Sequence, residues 1–321
     1  MKELQTINNY PIGGYFELEL PRHPELHAEA LALNSGRFCL EYLLRCRKYN
    51  KVYVPYFTCY TAIEPIVKLG ISYEFYHTDK SYRIVDDIRL APNEALLYTN
   101  YWGLQGNYCE ELAARYGRQL ILDYTQAFYY KSISGIDTFY SCRKYFGVPD
   151  GGYLYTDAVS DFEIEQDESY NRMDSLTKRI DLSPEAGYDD FHKVSTTFHD
   201  MPIRRMSKLT KRLMQSINYK RVAQQRIDNY NTLRCVLGGR ELHYGEVPMI
   251  FPYESADGQA LRKHLIANKV FVAKYWPNVD EWTEEDSTER WMANHILPLP
   301  IDQRYDMEDM NRIIEIINNY E

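Results

Sequence analysis

The sequence predicts an α/β protein: a large domain on a mostly parallel central sheet flanked by helices, followed by a smaller C-terminal α+β domain. Three observations lead there. Between residues 36 and 156, short apolar runs of strand character alternate with helical patterns, and such alternation yields a mostly parallel sheet covered on both faces. The chain has 321 residues, more than one small core accommodates and suited to a large domain with a smaller companion. Past residue 205 the pattern changes to a long helical stretch rich in Lys, Arg and Gln, then to separate strands and helices. The predicted divisions are 1–205 for the large domain, 206–235 for a connecting long helix and 236–321 for the small domain.

The elements follow in order. "GRFCLEYLLRCRKYN" (36–50) sets Phe38, Tyr42, Leu43 and Cys46 at helical spacing, with Asn34 or Ser35 to cap its start. "KVYVPYF" (51–57) is a short buried strand. "YTAIEPIVKLG" (60–70) is a helix stopped by Gly70. Strands are expected at 71–77 and 94–100, a helix at 108–117, and strands at 119–124, 138–142 and 152–156. Residues 158–190 are acidic and irregular. Helical character returns over 206–233, followed by a strand at 247–254, a helix at 258–269, a strand at 270–276 and a terminal helix at 307–320.

Composition narrows the function classes. A net charge of −9 argues against a general nucleic-acid binder, which needs a basic field. The six cysteines (39, 46, 59, 109, 142 and 235) include no CxxC pair, so neither a zinc site nor a redox motif is expected, and no metal is assigned. No apolar run approaches the roughly 18 residues of a membrane span, and "MKELQTINNYPIGGYFELELP" has no apolar leader core. A soluble, cytoplasmic protein that does not engage membranes is expected. Thirty tyrosines suit interfaces and polar pockets, since each joins a large apolar ring to a hydroxyl.

In parallel sheets, ligands bind beyond the carboxyl ends of the strands. There the strand 119–124 delivers Asp123, and the strand 138–142 delivers Ser141 and, just past it, Lys144. The helix at 36 opens right after "NSG", so Ser35, Gly36, Arg37 and Phe38 form a possible anion cup of free amides. Pyridoxal phosphate needs all three parts: a helix N-terminus for its phosphate, a carboxylate that keeps the ring nitrogen protonated, and a lysine amine for a Schiff base.

The sequence also resembles the DegT/DnrJ/EryC1/StrS family of sugar aminotransferases, of the aspartate-aminotransferase fold. The resemblance runs through most of the chain: "LNSGRF", "KVYVPYFTCYTAIEPIVKLG", "LILDYTQAF", "SCRKYFGVPDGGYLYT", "KYWP", "ILPLPID" and "RYDMEDMNRI" occur in the family's order. It implies Lys144 as the Schiff-base lysine, Asp123 on the pyridine nitrogen and Gln126 beside the ring near its phenolic oxygen. Ser141 and the Gly36–Phe38 amides would hold the phosphate. It further implies glutamate as amino donor, a nucleotide-linked keto sugar as acceptor, a role in surface polysaccharide or antibiotic synthesis, and a homodimer with the site at the subunit interface. Related dehydratases carry histidine where Lys144 stands; a non-catalytic relative that binds a ligand for regulation is the other alternative.

Four features depart from the family pattern. The spacing "SCRK" is short between serine and lysine. Cys59 stands where an aromatic residue often stacks on the ring, leaving Phe57, Tyr56 or Tyr60 to cover it. In "MPIRRM", Ile203 occupies the place of an asparagine that reaches the other subunit's phosphate, with Arg204 or Arg205 as substitutes. The chain is also shorter than typical members. Trp102 and Gly103 fit either a pocket-lining turn or core packing. His192, His199 and His295 read as surface or core residues, and Gly151 and Gly152 as a tight turn that lets backbone approach the cofactor.

Overall fold

Alternation along the strands of the first half divides one sheet into two apolar faces. The structure, a computed structural model, describes residues 12–320; most of the segment tested for a leader lies outside the described residues. The sheet has seven strands: β1 (Leu31–Leu33), β2 (Lys51–Pro55), β3 (Ser72–Tyr76), β4 (Glu94–Thr99), β5 (Leu120–Asp123), β6 (Asp137–Ser141) and β7 (Gly152–Tyr155). Their order is β1-β7-β6-β5-β4-β2-β3. The pairings from β6 through β3 are parallel, and β7 runs antiparallel to both β6 and β1. The predicted fold class is therefore the observed one.

Successive strand residues point to opposite faces. Val52, Val54, Ala95, Leu97, Ile121 and Phe139 bury one face against α1 (Gly36–Arg47) and α2 (Tyr60–Lys68). Leu96, Tyr98, Leu120, Leu122 and Tyr140 bury the other face. That second cluster takes in α3 (Gly106–Tyr116) and continues into side chains of the C-terminal half. With both faces covered, β5 is buried along its whole length, as a central parallel strand should be.

Local signals explain the helix boundaries. The Ser35 side chain accepts a bond from the Phe38 amide at 3.3 Å and starts α1. Gly70 (φ +66°) and Gly117 (φ +52°) follow α2 and α3 in backbone conformations that favour glycine.

The acidic stretch read as irregular contains two helices, α4 (Asp174–Asp181) and α5 (Tyr188–Thr197). Each carries aspartate in its first turn, where the helix dipole favours negative charge. The single helix expected over 206–233 is two, α6 (Lys208–Met214) and α7 (Tyr219–Leu237). Asn218 breaks it: its side chain accepts the Arg221 amide at 3.1 Å and caps a new helix.

The remaining elements are β8 (Phe251–Glu254), α8 (Gly258–Ala267), α9 (Val279–Trp282), α10 (Thr288–His295), β9 (Ile296–Leu299) and α11 (Met307–Asn318). The strand expected at 270–276 does not form. Val270 and Val272 are buried there by packing, and β8 pairs antiparallel with β9 instead. No helix among the described residues is long and apolar enough to cross a membrane.

Gly152 marks the tightest junction of sheet and helix. A Cβ on it would lie 2.5 Å from the Ser35 carbonyl carbon and 2.7 Å from the Gly36 nitrogen. Gly151 adds a bond from its amide to the Asn34 carbonyl at 2.9 Å. The structure sets this glycine pair against the backbone that opens α1. Gly152→Ala is expected to destabilise the protein by about 3 kcal/mol, an overpacking cost against rigid backbone, read as a lower denaturation midpoint at unchanged slope.

Candidate functional site

The carboxyl end of β5 presents a carboxylate without a cation. Asp123 is only 6% exposed. Its Oδ1 accepts the Thr125 amide at 2.8 Å, and no ion pair to it forms among the described residues. A buried carboxylate is costly unless it is paired or well hydrogen-bonded, and one backbone amide is modest compensation. Thr99 of β4 lies beside it in register, and the Asn100 amide bonds its carbonyl at 3.0 Å.

Two residues beyond Asp123, the Thr125 hydroxyl accepts a hydrogen bond from Lys144 Nζ at 2.9 Å. Lys144 ends a short 3-10 turn, Cys142–Lys144, that leaves β6 directly after Ser141, and it is exposed in the single chain. The turn Asp123-Tyr124-Thr125 therefore couples the buried acid to the amine: Asp123 fixes the Thr125 backbone, and Thr125 holds the lysine.

The start of α1 meets this pair at Gly36. A Cβ there would sit 3.0 Å from Thr125 Cγ2 and 3.6 Å from Ser141 Cβ. Ser141 is also opposite Gly152 in the β6–β7 register. The short "SCRK" spacing thus leaves Ser141 against the helix N-terminus, where its hydroxyl has no hydrogen-bond partner among the described residues. Of the cup amides, Gly36 and Arg37 stay unpaired, whereas the Phe38 amide is taken up by the Ser35 cap. The residue that starts the helix thus engages one of the amides read as the cup. The Arg37 side chain faces α2, where it pairs with Glu64 at 2.8 Å and also contacts Thr61 and His199.

Gln126 is fully buried. Its Oε1 accepts the Trp102 amide at 2.9 Å and its carbonyl accepts the Tyr145 hydroxyl at 2.7 Å, while Nε2 has no partner. Gln126 thereby holds Trp102 at φ +61°. Trp102 itself is core: its indole donates to the Tyr82 hydroxyl at 2.9 Å and lies parallel to Trp276. Gly103 packs closely on the Gln126 carbonyl.

The aromatic residues considered as ring covers separate. Phe57 is buried among Tyr82, Tyr101 and Trp276. Tyr56 stacks on Phe75 at 4.6 Å, and Tyr60 is exposed. Cys59 precedes α2 without capping it. Ile203 packs against the core. Arg204 lies near Glu165 and Asp167, and the backbone of Arg205 bridges to Leu33 and Gln166. His192 lies against Tyr188 on the surface. His199 pairs with Glu64 and His295 bonds the Ser255 carbonyl, as structural histidines do.

Two residues here escaped the sequence reading. Thr125 gives no signal in the sequence beyond its place two residues after Asp123. Arg143, next to Lys144, reads as surface in sequence. Its guanidinium lies over the Phe198 ring at 4.8 Å and bonds Ser195 Oγ at 3.3 Å.

No family model matches the sequence. No curated protein matches it either. Solved structures do share its fold. A DegT DnrJ EryC1 StrS aminotransferase from Brucella abortus is 17% identical with a TM-score of 0.55, covering 91% of this chain and 85% of that one. The sugar aminotransferase CalS13 from Micromonospora echinospora is 14% identical with a TM-score of 0.57, covering 90% and 87%. The ntda protein from Bacillus subtilis, solved with bound cofactor PMP, is 14% identical with a TM-score of 0.59, covering 90% and 72%. At these identities the likeness is one of fold.

Proposed function

We propose that this protein is a pyridoxal-phosphate-dependent aminotransferase that moves an amino group from glutamate to a nucleotide-linked keto sugar, in the synthesis of a surface polysaccharide or related product. One observation carries the reading: a buried, cation-free carboxylate, Asp123, is tied through Thr125 to a lysine amine at the ends of neighbouring parallel strands. The residues present fit the cofactor. Asp123 lacks the positive partner that a protonated ring nitrogen would be, Gln126 Nε2 lacks an acceptor, and the Gly36 and Arg37 amides with the Ser141 hydroxyl are free to receive an anion. The sugar substrate is supported by the name of CalS13, and the nucleotide, the donor and the pathway by the sequence resemblance.

When bound, the cofactor supplies an aldehyde that captures amines and a ring that draws electrons from the adjoining carbon. Lys144 Nζ would hold the cofactor in the resting protein and would serve as the base for the proton on the donor's α-carbon. Asp123 keeps a proton on the ring nitrogen. Thr125 Oγ1 orients Nζ for both tasks. Because Lys144 is exposed in one chain, a second copy closing over it fits the proposed homodimer with an interfacial site. The protein is assigned to the cytoplasm.

The test is direct. Purified protein given pyridoxal phosphate should turn yellow, and glutamate alone should bleach it and release 2-oxoglutarate. A panel of nucleotide-linked keto sugars should then restore the colour selectively. Protein that stays colourless with added cofactor overturns the reading, and bound cofactor that ignores glutamate points to dehydration. Thr125→Val keeps the side-chain shape but removes the acceptor for Lys144. It should retain the cofactor while slowing the glutamate half-reaction about tenfold, the worth of one hydrogen bond to a charged group, measured in single turnover.

A further inference from the structure

We propose that Arg143 binds the phosphate group of the cofactor, supplying the full positive charge that the cup at the start of α1 otherwise lacks. This rests on the aminotransferase reading. Arg143 is one residue before Lys144 and two after Ser141. Its guanidinium rests on Phe198, 4.8 Å from the ring centre, with Phe191 at 5.8 Å. The Phe198 ring in turn packs on Phe38 at 6.2 Å, in the first turn of α1. Through the Phe198 ring the cation is linked to Phe38 in the first turn of α1, where the Gly36 and Arg37 amides have no partner among the described residues.

The neighbouring arginines Arg37 and Arg172 are ion-paired, and Arg143 has no ion pair among the described residues. Arg37 has Glu64 at 2.8 Å, and Arg172 has Asp167 at 2.7 Å and Asp150 at 3.2 Å. Among the described residues Arg143 forms no ion pair, and its polar contact is the neutral Ser195 hydroxyl at 3.3 Å. A partly buried guanidinium without a counter-charge is stabilised when a ligand provides one. Burial pulls it down to about 10, with Arg37 adding to that and Asp150 opposing it, so it stays charged at neutral pH and would gain from an incoming anion.

A phosphate fits by charge and shape. The α1 terminus offers about half an elementary charge, too little for a dianion. The planar guanidinium presents paired donors to phosphate oxygens. Within this chain Ile203 and Arg204 offer no alternative. Ile203 is apolar and packs against the core, and Arg204 lies near Glu165 and Asp167.

Dissociation constants for pyridoxal phosphate and for pyridoxal, which lacks the phosphate, test this in wild type, Arg143→Gln and Arg143→Lys. Arg143→Gln should weaken pyridoxal phosphate about 10- to 100-fold, the range for a charged hydrogen bond, and leave pyridoxal unchanged. Arg143→Lys should fall between, and carries the test should the glutamine variant not fold. Equal changes for both ligands, or none for either, overturn the inference while leaving the aminotransferase reading intact; that includes the case in which Arg143 serves a substrate phosphate. Wild-type protein that binds neither ligand overturns both.

Discussion

Lys144→Ala is expected to lower turnover by about 10⁴-fold or more, the upper range for loss of a positioned proton-transfer group, with covalent capture of the cofactor lost besides. The fold should not suffer. Lys144 is exposed, and the hydrogen bond it gives up is the one to Thr125; substitutions at such places usually shift stability by no more than about 0.5 kcal/mol. The measurable signature is a separation of binding from chemistry. Pyridoxal phosphate should still bind through the phosphate cup and Asp123, but borohydride should fix no label to the variant, whereas in wild type the label should map to the peptide holding Lys144. A variant that keeps its covalent label and its glutamate half-reaction would displace Lys144 from the centre of the site.

Asp123→Asn should give the second largest loss, about 10²- to 10³-fold in the glutamate half-reaction. Breaking one partner of a buried charge pair typically costs about 3–4 kcal/mol, and that energy sets the rate factor. Asparagine keeps the shape of the side chain and an oxygen to accept the Thr125 amide, so the turn and the placement of Lys144 should persist. What disappears is the negative charge that would hold a proton on the ring nitrogen. The cofactor should therefore still bind and still attach to Lys144, with the deficit in the proton-transfer step. Stopped-flow measurement of that step, with a solvent-independent α-deuterium effect on glutamate larger than in wild type, checks the assignment. An unchanged rate would mean that Asp123 faces something other than the ring nitrogen.

The strand–helix alternation was legible in sequence because a buried parallel strand is a short apolar run, and "LILD" could be little else directly after a glycine-stopped helix. The glycines after α2 and α3 were equally plain, since their left-handed backbone is a local property. The places where sequence reading failed share a cause. The break between α6 and α7 rests on one capping asparagine inside a stretch whose composition is helical throughout. The apolar alternation of 270–276 was satisfied by packing without strand pairing, because β8 found its partner in β9, more than forty residues on. Gln126 could be chosen as a polar residue near the strand end, but its grip on the Trp102 amide spans 24 residues and leaves no local trace.

By itself, then, the sequence determined the sheet and its flanking helices, the helix start at "NSG", and the presence of Asp123, Ser141 and Lys144 at strand ends. These follow from backbone propensity and burial, which act over a few residues. Only the tertiary structure decided what those residues do to one another. It showed that Thr125, not predicted for any role, holds the lysine amine. It reduced the free amides of the cup to Gly36 and Arg37, and it turned the Arg37 side chain away to Glu64. It also left Arg143, a surface residue by sequence, partly buried against Phe198 with no ion pair among the described residues. Such assignments depend on distances across the fold of an ångström or two, where a hydrogen bond or an ion pair is either made or absent, and no local pattern in the chain encodes them.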